Sequence, residues 1–394
     1  MTRLSRLFST EQHAMMYRFI KKHVRKSIKR SRTDRHAVNH SVANGLACDV
    51  LMLIAALDSG FAEDGVAKHV CDLAYRLQCG LALGADRDDI ELFTGQLGIC
   101  VALYQSGQRL GLPDVSNKAS DHLRQIALRP TWTSLEKFDL IGGLVGRGVA
   151  ALLCNSERAE FRILTELVER IDAQRGTSYL LASPWRRELR SESDRGGGPI
   201  DMGIAHGNAG IILFLAQAAL RYPHLAQILP RLRYLVGELL SVPTRSVPGS
   251  LYSYFVSSSE PVRLGWCYGD ISIALCLIVA GCALHDSEVQ QKGWYIFDSA
   301  SRNTDNRHHQ LGLCHGTVGL ICVCLYLRNF DLDKPTAALR MLARDMELDL
   351  ATASAGEAQS CGAGYLEGDT GAAIGMISAM TGHMDPSLGL MMMM

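Results

Sequence analysis

Seven times along this 394-residue chain a glycine is followed three residues later by a glycine or another small residue, and then by an apolar run. The pairs are Gly45 and Cys48, Gly95 and Gly98, Gly143 and Gly146, Gly207 and Gly210, Gly269 and Ser272, Gly316 and Gly319, and Gly368 and Gly371. Successive first glycines lie 50, 48, 64, 62, 47 and 52 residues apart. That spacing leaves room for two helices and two connections per unit. A repeat of this kind overrides the two or three separate domains that length alone suggests.

The runs after the glycines, such as 101–103, 149–153, 211–215, 273–278 and 320–325, are apolar on nearly every side, which predicts helices buried all round. Between them, 115–127 and 225–240 mix charge with apolar residues in the manner of an outer layer. Seven buried helices alternating with seven amphipathic ones predict an all-α fold, a closed double-layered α/α toroid whose glycines let the inner helix ends crowd together near the axis. Residues 41–394 then form one toroidal domain, and residues 1–40 a basic N-terminal helical segment. Two repeats are longer because of loop-like stretches at 175–200 and 242–262, rich in Gly and Pro. Each leads into an inner-helix start, so both are expected to rim one mouth of the barrel.

From Tyr17 to Arg35 the cations Arg18, Lys21, Lys22, Arg25, Lys26, Lys29, Arg30, Arg32 and Arg35 face one acid, Asp34, while Phe19, Ile20, Val24 and Ile28 recur at helical spacing. This predicts an amphipathic helix with a basic face. A solvated face is its plain reading; an acidic peptide segment, a partner protein or a peripheral complex at a membrane surface are the others. Over the whole chain Lys and Arg number 40 and Asp and Glu number 40, so no global field argues for nucleic acid. The first 35 residues lack the apolar stretch of a secretory signal. The longest uncharged apolar run, 271–284, is shorter than the roughly 18 residues that cross a bilayer. A cytoplasmic protein is expected, and its 12 cysteines read as buried thiols and metal ligands rather than a disulfide framework. Cys100, Cys276, Cys322 and Cys324 fall inside apolar runs and read as small core residues.

The candidate chemistry lies just ahead of the repeat glycines. With each first glycine counted as position zero, Asp139 stands at −4, His206 at −1, Cys267 and Cys314 at −2, and His315 at −1. A common register carries all five to one end of the barrel. Two thiols and an imidazole are ligands that select zinc, and three protein ligands with an open fourth position is the catalytic form of such a site. Spacing alone also fits ordinary buried thiols beside a capping histidine, and an aspartate ahead of a helix fits an N-cap.

Trp266-Cys267-Tyr268-Gly269, Cys314-His315-Gly316 and Gly203-Ile204-Ala205-His206-Gly207 resemble the three motifs of the lanthionine synthetase C-like (LanC) cyclases, and the resemblance extends over almost the whole chain from about residue 41. It implies an α/α toroid with seven inner helices and one zinc held by Cys267, Cys314 and His315. It further implies addition of a cysteine thiolate to dehydroalanine or dehydrobutyrine, closing a thioether ring in a precursor peptide already dehydrated by a separate dehydratase. By the same resemblance His206 protonates the enolate, Asp139 orients His206, Arg263 stabilises the enolate and Tyr268 donates a hydrogen bond. Trp266 reads as packing behind the metal. Relatives that add glutathione to dehydrated residues share the motifs, and a zinc protein that only binds is a third reading. Paired carboxylates or acidic metal clusters, needed for sugar or isoprenoid chemistry, are not seen at the repeat starts. Where the family continues with Pro-Gly after Cys267-Tyr268-Gly269, this chain has Asp270-Ile271-Ser272, and Asp270 is expected to cap the helix.

Overall fold

Helix placement follows the glycine register. The computed structural model describes residues 7–33, 39–82, 89–127, 138–174, 200–242, 244, 250–256, 258, 262–303, 307, 308, 310–355 and 362–393. Each first glycine is the N-cap of an inner helix: α2 (Leu46–Asp58), α4 (Gln96–Arg109), α6 (Leu144–Leu153), α8 (Asn208–Arg221), α10 (Asp270–Leu284), α12 (Thr317–Leu327) and α14 (Asp369–Thr381). The outer helices are α1 (Thr10–Thr33), α3 (Val66–Ala82), α5 (Pro113–Ala127), α7 (Glu157–Gln174), α9 (Ile228–Ser241), α11 (Ser287–Ser301) and α13 (Lys334–Ala355). Each inner helix packs on its inner neighbours, and α14 packs back on α2, which closes the ring. In α12 every residue is buried, and in α10 every residue but Cys282.

The second glycine of each pair has a steric reason. A Cβ on Gly98, Gly146, Gly210, Gly319 or Gly371 would lie 1.7–2.3 Å from the carbonyl oxygen three residues before the first glycine, so the turn ahead of the helix folds tightly under its first turn. Gly269 differs from the other first glycines in having a positive φ of 89°, in the repeat where Ser272 replaces the second glycine. The Ser272 hydroxyl donates to the Gly269 carbonyl at 2.8 Å.

The basic helix α1 lies in the outer layer against α2, α13 and α14. Met16, Ile20 and Val24 are buried, and Arg30 turns inward to the buried Asp49 of α2, with Nε 2.9 Å from the carboxylate. Arg18, Lys22, Arg25, Lys26, Lys29 and Arg32 are exposed. No described helix is long and apolar enough to cross a membrane.

Two features near the barrel mouths depart from the sequence reading. At the C-terminal ends of the inner helices the barrel is filled by the chain's own tail, a 3₁₀ turn at Pro386–Leu388 followed by α15 (Gly389–Met392). Leu388 and 390–393 are fully buried, and the tail is tied to α4 by Gln105, to α8 by Gln217, and to the opposite end by the Tyr365 hydroxyl, which donates to the Ser387 carbonyl at 2.6 Å. At the other mouth Asp270 does not cap α10. Its buried carboxylate accepts from the Leu251 and Tyr252 amides at 2.8 and 2.9 Å and from the Ser250 hydroxyl at 3.2 Å, because the chain at 250–252 brings three donors over it. Asp270 therefore pins the second long loop to the helix start. The first, 175–199, lies outside the described residues.

Two outcomes check this packing. Gly319→Ala should cost about 1–3 kcal/mol in chemical denaturation, because its Cβ would meet backbone rather than a movable side chain, whereas Gly237→Ala, exposed in α9 with nothing within 4 Å, should add up to about 1 kcal/mol. Asp270→Ala should cost about 1–3 kcal/mol by leaving buried donors unmatched, and amide exchange should quicken at Leu251 and Tyr252 while α10 stays protected.

Candidate functional site

At the end of the barrel where the inner helices begin, the pre-helix turns are stitched to one another by backbone hydrogen bonds. Ala43 N–H donates to Phe93 O, Leu92 to Ile141 O, Ile204 to Cys267 O, Cys267 to Cys314 O, Cys314 to Leu366 O, and Tyr365 to Ala43 O, at 2.7–3.2 Å. Every acceptor stands at position −2 of its repeat. Residues at that position therefore form a ring about the axis. Five of the seven are Ala43, Phe93, Ile141, Ala205 and Leu366; the other two are Cys267 and Cys314, adjacent on the ring.

A second register rule fixes the side chains. Position −4 of one repeat abuts position −1 of the next. A Cβ on Gly203 would lie 2.5 Å from the Tyr268 ring, and one on Gly265 3.0 Å from the His315 Cβ. Glycine at −4 thus seats the neighbouring aromatic ring. At Asp139, an acidic −4 residue facing a histidine, the same contact becomes a hydrogen bond: Asp139 reaches His206 of the next repeat, Nδ1 to Oδ2, at 3.0 Å. Asp139 is buried, its other oxygen accepts the Gly142 amide at 2.8 Å, and His206 is a quarter exposed at the mouth.

All seven residues that the sequence singled out lie on the pre-helix turns at this end of the barrel, and three of them form one cluster. Ligand atoms of Cys267, Cys314 and His315 lie within 4.8 Å of one another. Cys267 is buried, and Cys314 and His315 are half-buried. Hydrogen bonding from the Cys314 thiol draws the Cys267 thiol down to about 6, against the effect of burial and with help from His315. The same bond to Cys267, with burial, pushes Cys314 well up, and the bond to Cys267 raises His315 against desolvation. Cys267 is thus the sulfur favoured as thiolate, with Cys314 and His315 as its two side-chain donors. Two thiols and an imidazole in such a cluster could hold a metal ion. By contrast Cys100 and Cys322, buried in the core, are pushed up to about 12 by desolvation alone.

Arg263 is exposed at the same mouth and donates from Nη1 to His308 Nδ1 at 3.0 Å; the His308 ring in turn lies against that of His315, centroids 4.7 Å apart. Tyr268 packs edge-on to Tyr254, at 5.2 Å, and donates its hydroxyl to Asp201 Oδ2 at 2.7 Å. Trp266, the residue before Cys267, is fully buried. Sequence reasoning missed Asp201 and His308. Asp201 did carry a signal: position −6 is Asn39, Asp89 and Asp201 in three repeats. His308 carried none.

A model of the lanthionine synthetase C-like protein family matches residues 36–391. Among solved structures the chain is similar to nisin cyclase, with a TM-score of 0.75 at 20% sequence identity over 95% of this chain and 97% of that chain. No curated protein matches it by sequence. With the family match running from the last turn before α2 to the buried tail, and the toroid shared with a solved cyclase, this chain belongs to the lanthionine synthetase C-like family.

Proposed function

We propose that this protein is a zinc-dependent cyclase that forms lanthionine and methyllanthionine rings in a dehydrated precursor peptide. The observation that carries the reading is the clustering of Cys267, Cys314 and His315 within 4.8 Å, with the turn that carries His206 bonded to that of Cys267 through the Ile204 amide and the Cys267 carbonyl. The donor set fits zinc: two sulfurs, one already favoured as thiolate, and one imidazole. Three ligands leave one position for a substrate sulfur. Bound there, zinc would lower the pKa of a substrate thiol and present it as a nucleophile.

The protein's own groups supply the rest. Sulfur bonds to the β-carbon of the dehydrated residue, the alkene pair becomes an enolate, and a proton must reach the α-carbon. Asp139 holds His206 by Nδ1, which makes Nε2 the atom that carries this proton. Arg263, exposed on the rim, supplies positive charge toward the enolate oxygen. The alkene is made beforehand, in this reading, by a separate dehydratase acting on serine and threonine.

The purified protein should bind about one zinc per chain, as three-ligand catalytic sites do, and Cys267→Ala, Cys314→Ala or His315→Ala should each remove most of it while circular dichroism keeps the helical fold. Full zinc in Cys314→Ala would overturn the ligand set. His206→Asn should keep its zinc and lose about 10²- to 10⁴-fold in ring formation, scored as loss of free thiol in a dehydrated peptide. Asp139→Asn should lose less, and the double variant no more than His206→Asn, since the aspartate then has nothing to orient. Supplying glutathione with a dehydrated peptide lacking cysteine distinguishes a cyclase from a relative that takes its thiol in trans. Zinc binding with neither product formed would make the protein a binder.

A further inference from the structure

The geometry points to Asp201 as the positioning residue for Tyr268, fixing which way the phenol hydrogen points beside the thiol cluster. This rests on the functional reading above. Asp201 is 2% exposed, and its two carboxylate oxygens have separate duties. Oδ1 accepts the Gly203 amide at 2.9 Å and makes the turn ahead of α8; Oδ2 accepts the Tyr268 hydroxyl at 2.7 Å.

The other repeats show which duty is structural. Asn39 and Asp89, at the same register, accept the amide two residues on at 2.9 and 2.8 Å. An amide side chain therefore builds this turn as well as a carboxylate does. The second oxygen of Asp201 is needed for a different contact, one that crosses to the next repeat and ends on the residue beside Cys267. The Tyr268 ring is seated on three sides for that bond: it lies over Gly203, where no Cβ intervenes, meets Tyr254 edge-on, and ends on the carboxylate.

Asp201 Oδ1 is engaged by the Gly203 amide and Oδ2 accepts the phenol, so the phenol hydrogen is directed to Asp201. With that hydrogen held by the carboxylate, donation to the enolate falls to His206 and Arg263. The pair parallels Asp139 and His206: in each, an aspartate of one repeat orients the position −1 side chain of the next.

Asp201→Asn separates the two duties, because it keeps the turn-forming oxygen and replaces the Tyr268 acceptor by a donor, reversing the phenol. Ring formation by this variant should fall about tenfold or more in kcat with KM within about twofold, the pattern of a misoriented group rather than a lost binding contact. Zinc content and thermal midpoint should stay near those of the wild type. Asp201→Ser keeps a turn-forming oxygen without reach to Tyr268 and should show the same loss, which covers the case of poor folding in the first variant. In a Tyr268→Phe background Asp201→Asn should add nothing. Unchanged kcat in both Asp201 variants, or losses that multiply in the double variant, would overturn the proposal. If the wild type itself forms no thioether, the functional reading fails, and 3-fluorotyrosine placed at 268 decides the geometry: its ¹⁹F signal should shift on Asp201→Asn, and an unmoved signal would show that Asp201 does not hold the phenol.

Discussion

Backbone hydrogen bonds between successive pre-helix turns are the constraint on which the site depends. At six of the seven junctions they run from a position −2 or −3 amide to the next position −2 carbonyl, and the bond from Tyr365 to Ala43 joins the last repeat to the first. Cys267 and Cys314 are 47 residues apart in the chain, yet the amide of one donates to the carbonyl of the other at 3.2 Å. Their sulfurs meet because two polar backbone groups buried at a helix entrance must be satisfied, and the neighbouring turn is the available partner. The donor cluster is thus built by the scaffold. Seven inner helices, buried nearly all round, hold that ring of turns rigid.

Much of this was legible in the sequence because glycine marks steric necessity. A Cβ on any of the second glycines would meet backbone within 1.7–2.3 Å, so their positions report the turn directly, and the register they set located every inner helix and brought Cys267, Cys314 and His315 to one mouth. What stayed hidden were contacts between repeats. Position −4 touching position −1 of the following repeat is a three-dimensional offset that no periodicity displays, so Asp139 read as an N-cap as easily as a partner of His206. The same offset logic concealed Asp201, although Asn39 and Asp89 repeat its register.

Two further misses have local causes. Asp270 follows a helix-capping glycine and read as a cap, but the loop at 250–252 offers it three donors and takes the carboxylate away from the helix amides. The methionine-rich tail has too short a pattern to declare a role, and burial of 390–393 depends on a space that exists only when the ring is closed. His308 likewise gains its place from a fold-level neighbour, the His315 ring, and from Arg263.

Residue type was a weaker guide than register. Cys100, Cys322 and Cys267 are all buried thiols in apolar surroundings, but the first two lie within inner helices and are pushed up by desolvation, whereas Cys267 stands ahead of one, with a second thiol and an imidazole close enough to favour its thiolate. A few residues of displacement along the chain separate an inert core cysteine from one whose thiolate is favoured. The hydrogen-bonded pairs follow the same register: Asp139 with His206 and Asp201 with Tyr268 sit on the turns of repeats three to five, while the Cys267, Cys314 and His315 cluster sits on those of five and six. Tyr268 and Cys267 are neighbours in the chain, so the turn of repeat five carries a member of each group. The toroid therefore couples the two groups through that one shared turn, and a change in its backbone would displace both.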